Sequence, residues 1–317
     1  MLTYLEDLTL RLAAGAAKLD PATRQRHAVW LAEQQRSDGG FAGREGESDP
    51  YYTAFALRSL LVLDAMSEEI AAAAAAFLQT RLTKQEGIVD LISLLFGAAI
   101  CELGAGQSVV SDEETAWIEN VAKLLDSLRT SDGGFAKTPE GKAGSTYQTF
   151  LSVLCLELIQ QTPRDVDRVV EFLKSQAHPD GGFLEIRAAK RAGVNPTAAA
   201  VGTLKCLGRL DEFDHEETLE FLAEMQSSEG GFTANTRIPF ADLLSTCTGL
   251  ISVVDLQNPG VIDAAAALRY ARSMEQIDGG FTGFELDQTA DVEYTFYGVA
   301  TLALCTDLLD HQPTTDS

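Results

Sequence analysis

Eight aromatic side chains cluster near the starts of apolar stretches: Tyr51, Tyr52, Phe55, Tyr147, Phe150, Tyr294, Phe296 and Tyr297. Large flat rings with an occasional hydroxyl suit the wall of a pocket for a long apolar ligand. The other reading is that they fill a solid core. A second group is cationic: Arg187, Lys190 and Arg191 lie in one loop-like stretch and Arg237 in another. Guanidinium forks and an ammonium together can clamp an anion. The competing reading is solvated loop charge on an acidic surface. The cysteines, 101, 155, 206, 247 and 305, stand singly, mostly in apolar stretches. That usage points to reduced core thiols of a cytoplasmic protein, with no disulfide frame. The histidines, 27, 178, 215 and 311, fall outside the apolar stretches and read as surface or turn residues.

These groups are positioned by a repeated turn. Asp38-Gly39-Gly40-Phe41 returns as Asp132-Gly133-Gly134-Phe135, Asp180-Gly181-Gly182-Phe183, Glu229-Gly230-Gly231-Phe232 and Asp278-Gly279-Gly280-Phe281. The first step is double the others, so a worn copy is expected at Glu86-Gly87-Ile88. The period is about 48 residues, which marks a repeat architecture. Paired glycines reach positive φ, the acid accepts backbone N–H groups, and the phenylalanine anchors the turn on the core.

Two helices are expected per repeat. An outer, amphipathic set spans 21–36, 67–82, 113–129, 164–176, 216–225 and 261–275. An inner set, apolar nearly all round, spans 51–63, 89–103, 147–159, 197–207, 243–254 and 294–304. A helix apolar on every face is buried on more than one side. Six buried and six amphipathic helices imply two concentric rings, an all-α toroid over residues 20–306 within a single domain of 1–317. A helix over 2–19 precedes the repeats and caps them, and 307–317 is a polar tail.

Of 317 residues, 45% are hydrophobic and 22% charged, and the net charge is −23. Such acidity disfavours nucleic acid or an anionic membrane as a partner of the whole surface. The expectation is a chain without a secretory leader or a run long enough to cross a bilayer, the longest low-polarity stretch being 71–78.

The repeated turn resembles that of the prenyltransferase and squalene-oxidase repeat superfamily, whose members fold as α/α toroids. With Gln35 and Gln226 three residues before the acid, the pattern looks like that of protein-prenyltransferase β subunits. That resemblance implies a zinc ion that turns an acceptor cysteine into a thiolate. Its ligands would come from an Asp-x-Cys and a Tyr-His-Thr at the starts of two inner helices. The matching stretches are 245–250 and 291–297, where Cys247 and the upstream acid Asp291 remain, while Ser245 and Tyr294 replace the aspartate and histidine. Asp242, Asp291 and Glu293 are the candidate substitute ligands beside Cys247. The implied diphosphate site is incomplete too. By register its histidine falls near Gly193, its arginine at Pro239 and its lysine at Asp242. Triterpene cyclases usually carry tryptophan where Phe41, Phe135 and Phe183 stand and need an Asp-x-Asp-Asp tetrad, which the sequence lacks.

The resemblance implies a prenyltransferase binding an isoprenoid diphosphate. Tyr51, Tyr147, Tyr294 and Tyr297 would meet the chain, and Arg187, Lys190, Arg191 and Arg237 the diphosphate. Cys247 and Asp291 would act at the acceptor. The implied partner is a helical-repeat α subunit or a second copy. The alternatives are a binding toroid that has lost the metal site and, third, a cyclase-like enzyme.

Overall fold

The computed structural model describes residues 2–82, 87–109 and 115–311. Inner helices are α3 (Pro50–Val62), α5 (Ile88–Ala105), α7 (Thr146–Leu158), α9 (Val194–Cys206), α11 (Leu243–Asp255) and α13 (Val292–Asp310). Outer helices are α2 (Pro21–Glu33), α4 (Glu68–Gln79), α6 (Thr115–Ser127), α8 (Val166–Gln176), α10 (Glu216–Met225) and α12 (Ala264–Ser273). Each inner helix packs on the next, α3 on α5 and so on round to α13, which packs back on α3. The ring is therefore closed, an α/α toroid.

The turns do what their composition requires. The first glycine of each is left-handed, for example φ +99° at Gly133, where an added Cβ would sit 2.3 Å from the Arg168 carbonyl oxygen of the next outer helix. Neither constraint tolerates a side chain. The phenylalanine N–H donates to a buried threonine Oγ1 in the following inner helix. The pairs are Phe41–Thr53, Phe135–Thr149, Phe183–Thr197, Phe232–Thr246 and Phe281–Thr295, at 2.9–3.1 Å. Each threonine donates in turn to the carbonyl of its helix N-cap. Gln35 and Gln226 bridge turn and neighbour: Gln226 Nε2 donates to the carbonyls of Gly230 and Asp263, both at 2.9 Å.

The seam between the last and first repeats is made of the same parts. Gly279 lies against Trp30 and the Arg26 carbonyl of α2. His27, expected at the surface, is 1% exposed there. Its ring stacks on Phe281 at 4.6 Å, and its Nδ1 accepts from the Gly280 N–H. Arg44 then ties the first repeat's loop to the last, pairing with Asp287 and Asp291.

Four expectations about the architecture are corrected. In the worn copy expected at Glu86-Gly87-Ile88, Gly87 is not a left-handed turn glycine: it has an extended φ of −167° and is the N-cap of α5, while Glu86 lies outside the described residues. At 18 residues, α5 is long and apolar enough to cross a bilayer, since only Asp90 and Glu102 interrupt it; here it forms part of the inner ring, with 56% of it buried. Residues 307–310 are not tail but the end of α13, held by Lys18, whose Nζ reaches Asp307 and Asp310. Residues 312–317 lie outside the described residues.

The fourth correction is α1 (Tyr4–Ala16), which runs within the ring. It packs against α3, α7, α9 and α13, four of the six inner helices. Leu5, Leu8, Leu12 and Ala16 make one buried stripe at helical spacing. Gly15 allows the approach, since a Cβ there would lie 2.3 Å from the Ala303 carbonyl oxygen. Polar contacts fix the end of α1 that faces the cavity. Tyr4 N–H donates to Glu157 at 2.9 Å, and the Tyr4 hydroxyl to the buried Asp255 at 2.8 Å. Lys205 and Arg11 also reach Asp255, at 2.6 and 2.9 Å. Glu157, Lys205 and Asp255 all lie toward the C-terminal ends of inner helices, so α1 plugs that half of the lumen.

Candidate functional site

The other half of the lumen is a cavity of about 420 Å³. Its lining follows one rule. On each inner helix the residue two before the buried threonine (Leu91 takes the threonine's place in α5) faces inward, and so do the positions three and four after that residue. On four helices, so does the position seven after it. These are Tyr51, Ala54, Phe55 and Arg58 on α3; Val89, Ile92, Ser93 and Phe96 on α5; and Tyr147, Phe150, Leu151 and Leu154 on α7. Asn195, Ala198 and Ala199 on α9, Leu244, Cys247, Thr248 and Ile251 on α11, and Glu293, Phe296 and Tyr297 on α13 complete the ring. That spacing is one face of a helix. The lined stretch of α3 covers seven steps, about 10 Å of depth at helical rise. Tyr4, Leu5 and Leu8 of α1 form the floor.

The aromatic rings of α3 and α13 pack edge to face or tilted from the mouth to midway down the lumen. Phe55 lies 4.9 Å from Tyr51 and 5.4 Å from both Phe296 and Tyr297, centroid to centroid. Tyr51, Tyr147 and Tyr297 therefore share one lumen, but Tyr294 and Tyr52 do not line it. Each sits one residue past an inward position, about 100° round the helix. Tyr294 instead packs on Gly283 beneath Arg44, whose guanidinium is 5.7 Å from the ring centroid.

Among the described residues Glu293 is the one acidic side chain in the wall. It accepts from the Tyr51 hydroxyl at 2.6 Å, and burial raises its pKa above the usual carboxylate value despite that bond. Arg58, at the deep end, lies with its guanidinium carbon 4.4 Å from the Phe296 centroid and 5.2 Å from that of Phe96. Burial pulls its pKa down to about 10. Arg58 is hidden in the sequence because one charge in an apolar helix does not change the pattern. Its inward register, seven after Tyr51, was the available signal.

The candidate metal ligands do not converge. Among the described residues no group of three or more His, Cys, Asp or Glu is placed to hold an ion. Asp242 and Asp291 are helix N-caps, accepting from the Ser245 and Tyr294 N–H groups at 2.7 and 2.8 Å. Asp291 also holds Arg44. Cys247 is fully buried in the lumen wall, and burial pushes its thiol up to about 12. A thiol so placed stays protonated at neutral pH. These residues do not fit a zinc–thiolate centre.

Arg187, Lys190, Arg191 and Arg237 are exposed and line no part of the cavity. They stand in the two loops leading into α9 and α11, and Arg191 donates across to Thr236 at 3.2 Å. Those loops precede the starts of two inner helices, the ends at which Asn195 and Leu244 enter the wall. Helix N-termini at that end add positive potential.

The family model of the prenyltransferase alpha-alpha toroid domain matches residues 4–167 and 148–316. No functionally curated protein matches the chain in sequence. Among solved structures, Candida albicans protein geranylgeranyltransferase-I complexed with GGPP is 15% identical, with a TM-score of 0.64, over 89% of this chain and 90% of that one. A single-substitution variant of the type II terpene cyclase MstE from Scytonema, in complex with geranylgeranyl dihydroxybenzoate, is 13% identical with a TM-score of 0.64, over 95% and 99%. A protein from Actinoplanes is 15% identical, with a TM-score of 0.59, over 91% and 100%. At these identities the likeness is one of fold.

Proposed function

The chain belongs to the prenyltransferase alpha-alpha toroid family, and from that premise we propose that its central cavity takes the hydrocarbon chain of an isoprenoid. The observation that carries this reading is the aromatic lumen, open at the inner-helix starts and floored by α1. Its volume falls within the range of small-molecule pockets. Rings at the mouth and midway down offer flat apolar faces, and the floor limits the length of chain admitted. The two solved structures named first above are complexes with geranylgeranyl compounds, which agrees with this choice of ligand.

Two finer readings share that pocket. In the first, the ligand is an isoprenoid diphosphate held at the mouth by Arg187, Lys190, Arg191 and Arg237, and its prenyl group passes to an acceptor. In the second, the toroid binds an isoprenoid without transferring it. The scattered Cys247, Asp242, Asp291 and Glu293 favour the second over transfer through a metal thiolate.

Calorimetric titration with farnesyl diphosphate, with and without zinc, followed by product analysis, separates them. Binding indifferent to zinc and without turnover is the expected result. Zinc-dependent binding, or a released diphosphate, restores the transfer reading. Absence of binding by the diphosphate, by farnesol and by farnesoic acid overturns the isoprenoid pocket itself.

A further inference from the structure

Arg58 is out of balance with its surroundings. Among the described residues it is the one lysine or arginine in the cavity wall, and it stands at the deep end. Its Nε and Nη2 are sealed from solvent and lack a hydrogen-bond partner. Among the described residues no carboxylate pairs with it. Asp255, behind the floor, is occupied by Tyr4, Lys205 and Arg11. Glu293 belongs to the mouth layer, seven helical steps away in register and bonded to Tyr51. The rings of Phe96 and Phe296 offer the guanidinium their π-faces, which offsets part of its desolvation. Buried charges are ordinarily paired as well.

An apolar chain inserted tail-first would end against this cation and leave it desolvated with nothing in exchange. A carbocation at that depth would meet a like charge across a low-dielectric gap. An anion meets neither objection. One guanidinium balances one negative charge, and its fork matches a carboxylate. A diphosphate would carry in more charge than the wall can neutralise.

We propose that the deep end of the cavity is a carboxylate site, and that the ligand is an isoprenoid acid inserted with its carboxylate against Arg58 and its chain along the aromatic wall. The assignment rests on the isoprenoid reading of the cavity and specifies ligand class and direction of entry. The rim cations Arg187, Lys190, Arg191 and Arg237 then help to draw the acid to the mouth.

The test is calorimetry at pH 7 with farnesoic acid, farnesol and farnesyl diphosphate against the wild type, Arg58→Met and Arg58→Lys. The wild type is expected to bind the acid at least about tenfold more tightly than the alcohol. Arg58→Met should lose that preference while binding farnesol at least as well, and Arg58→Lys should keep part of it. Farnesol binding by Arg58→Met serves as the control that the variant is folded. If acid and alcohol bind the wild type alike, or Arg58→Met keeps the preference, the carboxylate site is wrong and the isoprenoid cavity stands. If the diphosphate outbinds the acid through Arg58, the assigned class is wrong. If none of the three binds the wild type, this proposal and the isoprenoid reading fall together.

Discussion

Replacing Asp255 with alanine should loosen the floor of the cavity. The carboxylate is 2% exposed and gathers the Tyr4 hydroxyl, Lys205 and Arg11. A hydrogen bond to a buried charged acceptor is worth about 1.5–3 kcal/mol. The two cations are 32% and 25% exposed in their side chains, so each can recover water and adds under about 1 kcal/mol. The expected loss is about 3 kcal/mol in all, or about 1 M in urea midpoint at a slope of about 3 kcal/mol/M. Tyr4→Phe, which keeps the ring and removes the hydroxyl, should give a smaller part of that loss. Because Tyr4, Leu5 and Leu8 are the floor, a loosened α1 should also shift alcohol binding in favour of geranylgeraniol over farnesol. Far-UV circular dichroism in urea and calorimetry with the two alcohols read both effects. A midpoint unchanged within error, together with an unchanged ratio of alcohol affinities, would refute the view that this cluster seats α1 in the lumen.

Three further outcomes follow from the same geometry. Thr246→Val leaves the Phe232 N–H buried without an acceptor and should cost about 1–3 kcal/mol, whereas Thr246→Ser keeps the acceptor and should cost less; urea midpoints in the opposite order would contradict the threonine ties. Glu293 has a raised pKa in the folded protein, so the folded state holds its proton more tightly than the unfolded chain. Its contribution to stability is greatest below the ordinary value of 4.5 and is lost as pH rises through the folded value. Glu293→Gln should therefore show a shallower fall in melting temperature with rising pH than the wild type, and parallel curves would contradict the assignment. Cys247, with its thiol pushed up to about 12, should resist alkylation in the native protein at pH 7.5, as read by peptide mass mapping; rapid labelling would mean that the thiol is activated.

The ring was legible because the chain writes it repeatedly. Five Asp/Glu-Gly-Gly-Phe turns and alternating helix character are strong periodic signals. What periodicity cannot supply is phase. At the start of α13 the inward position carries Glu293, and the neighbouring Tyr294, which composition alone favours as a pocket residue, packs on Gly283 outside the lumen. The threonine after each turn sets that phase, and it was legible at a fixed distance of 14 residues from Phe135, Phe183, Phe232 and Phe281. The place of α1 was hidden for another reason. An amphipathic stripe of Leu5, Leu8 and Leu12 requires a partner surface but does not say that the surface is the inside of a ring. His27 was misplaced because its burial depends on Phe281 and Gly280, about 250 residues away in sequence.

The most direct test of the lumen is a crystal structure of the protein with farnesol. The expected result is the farnesyl chain between Tyr51, Phe150, Phe296 and Tyr297, above Tyr4, with α1 in place. A cavity left empty while the ligand sits elsewhere, or a chain that enters only where α1 has left the ring, would contradict an isoprenoid lumen floored by α1.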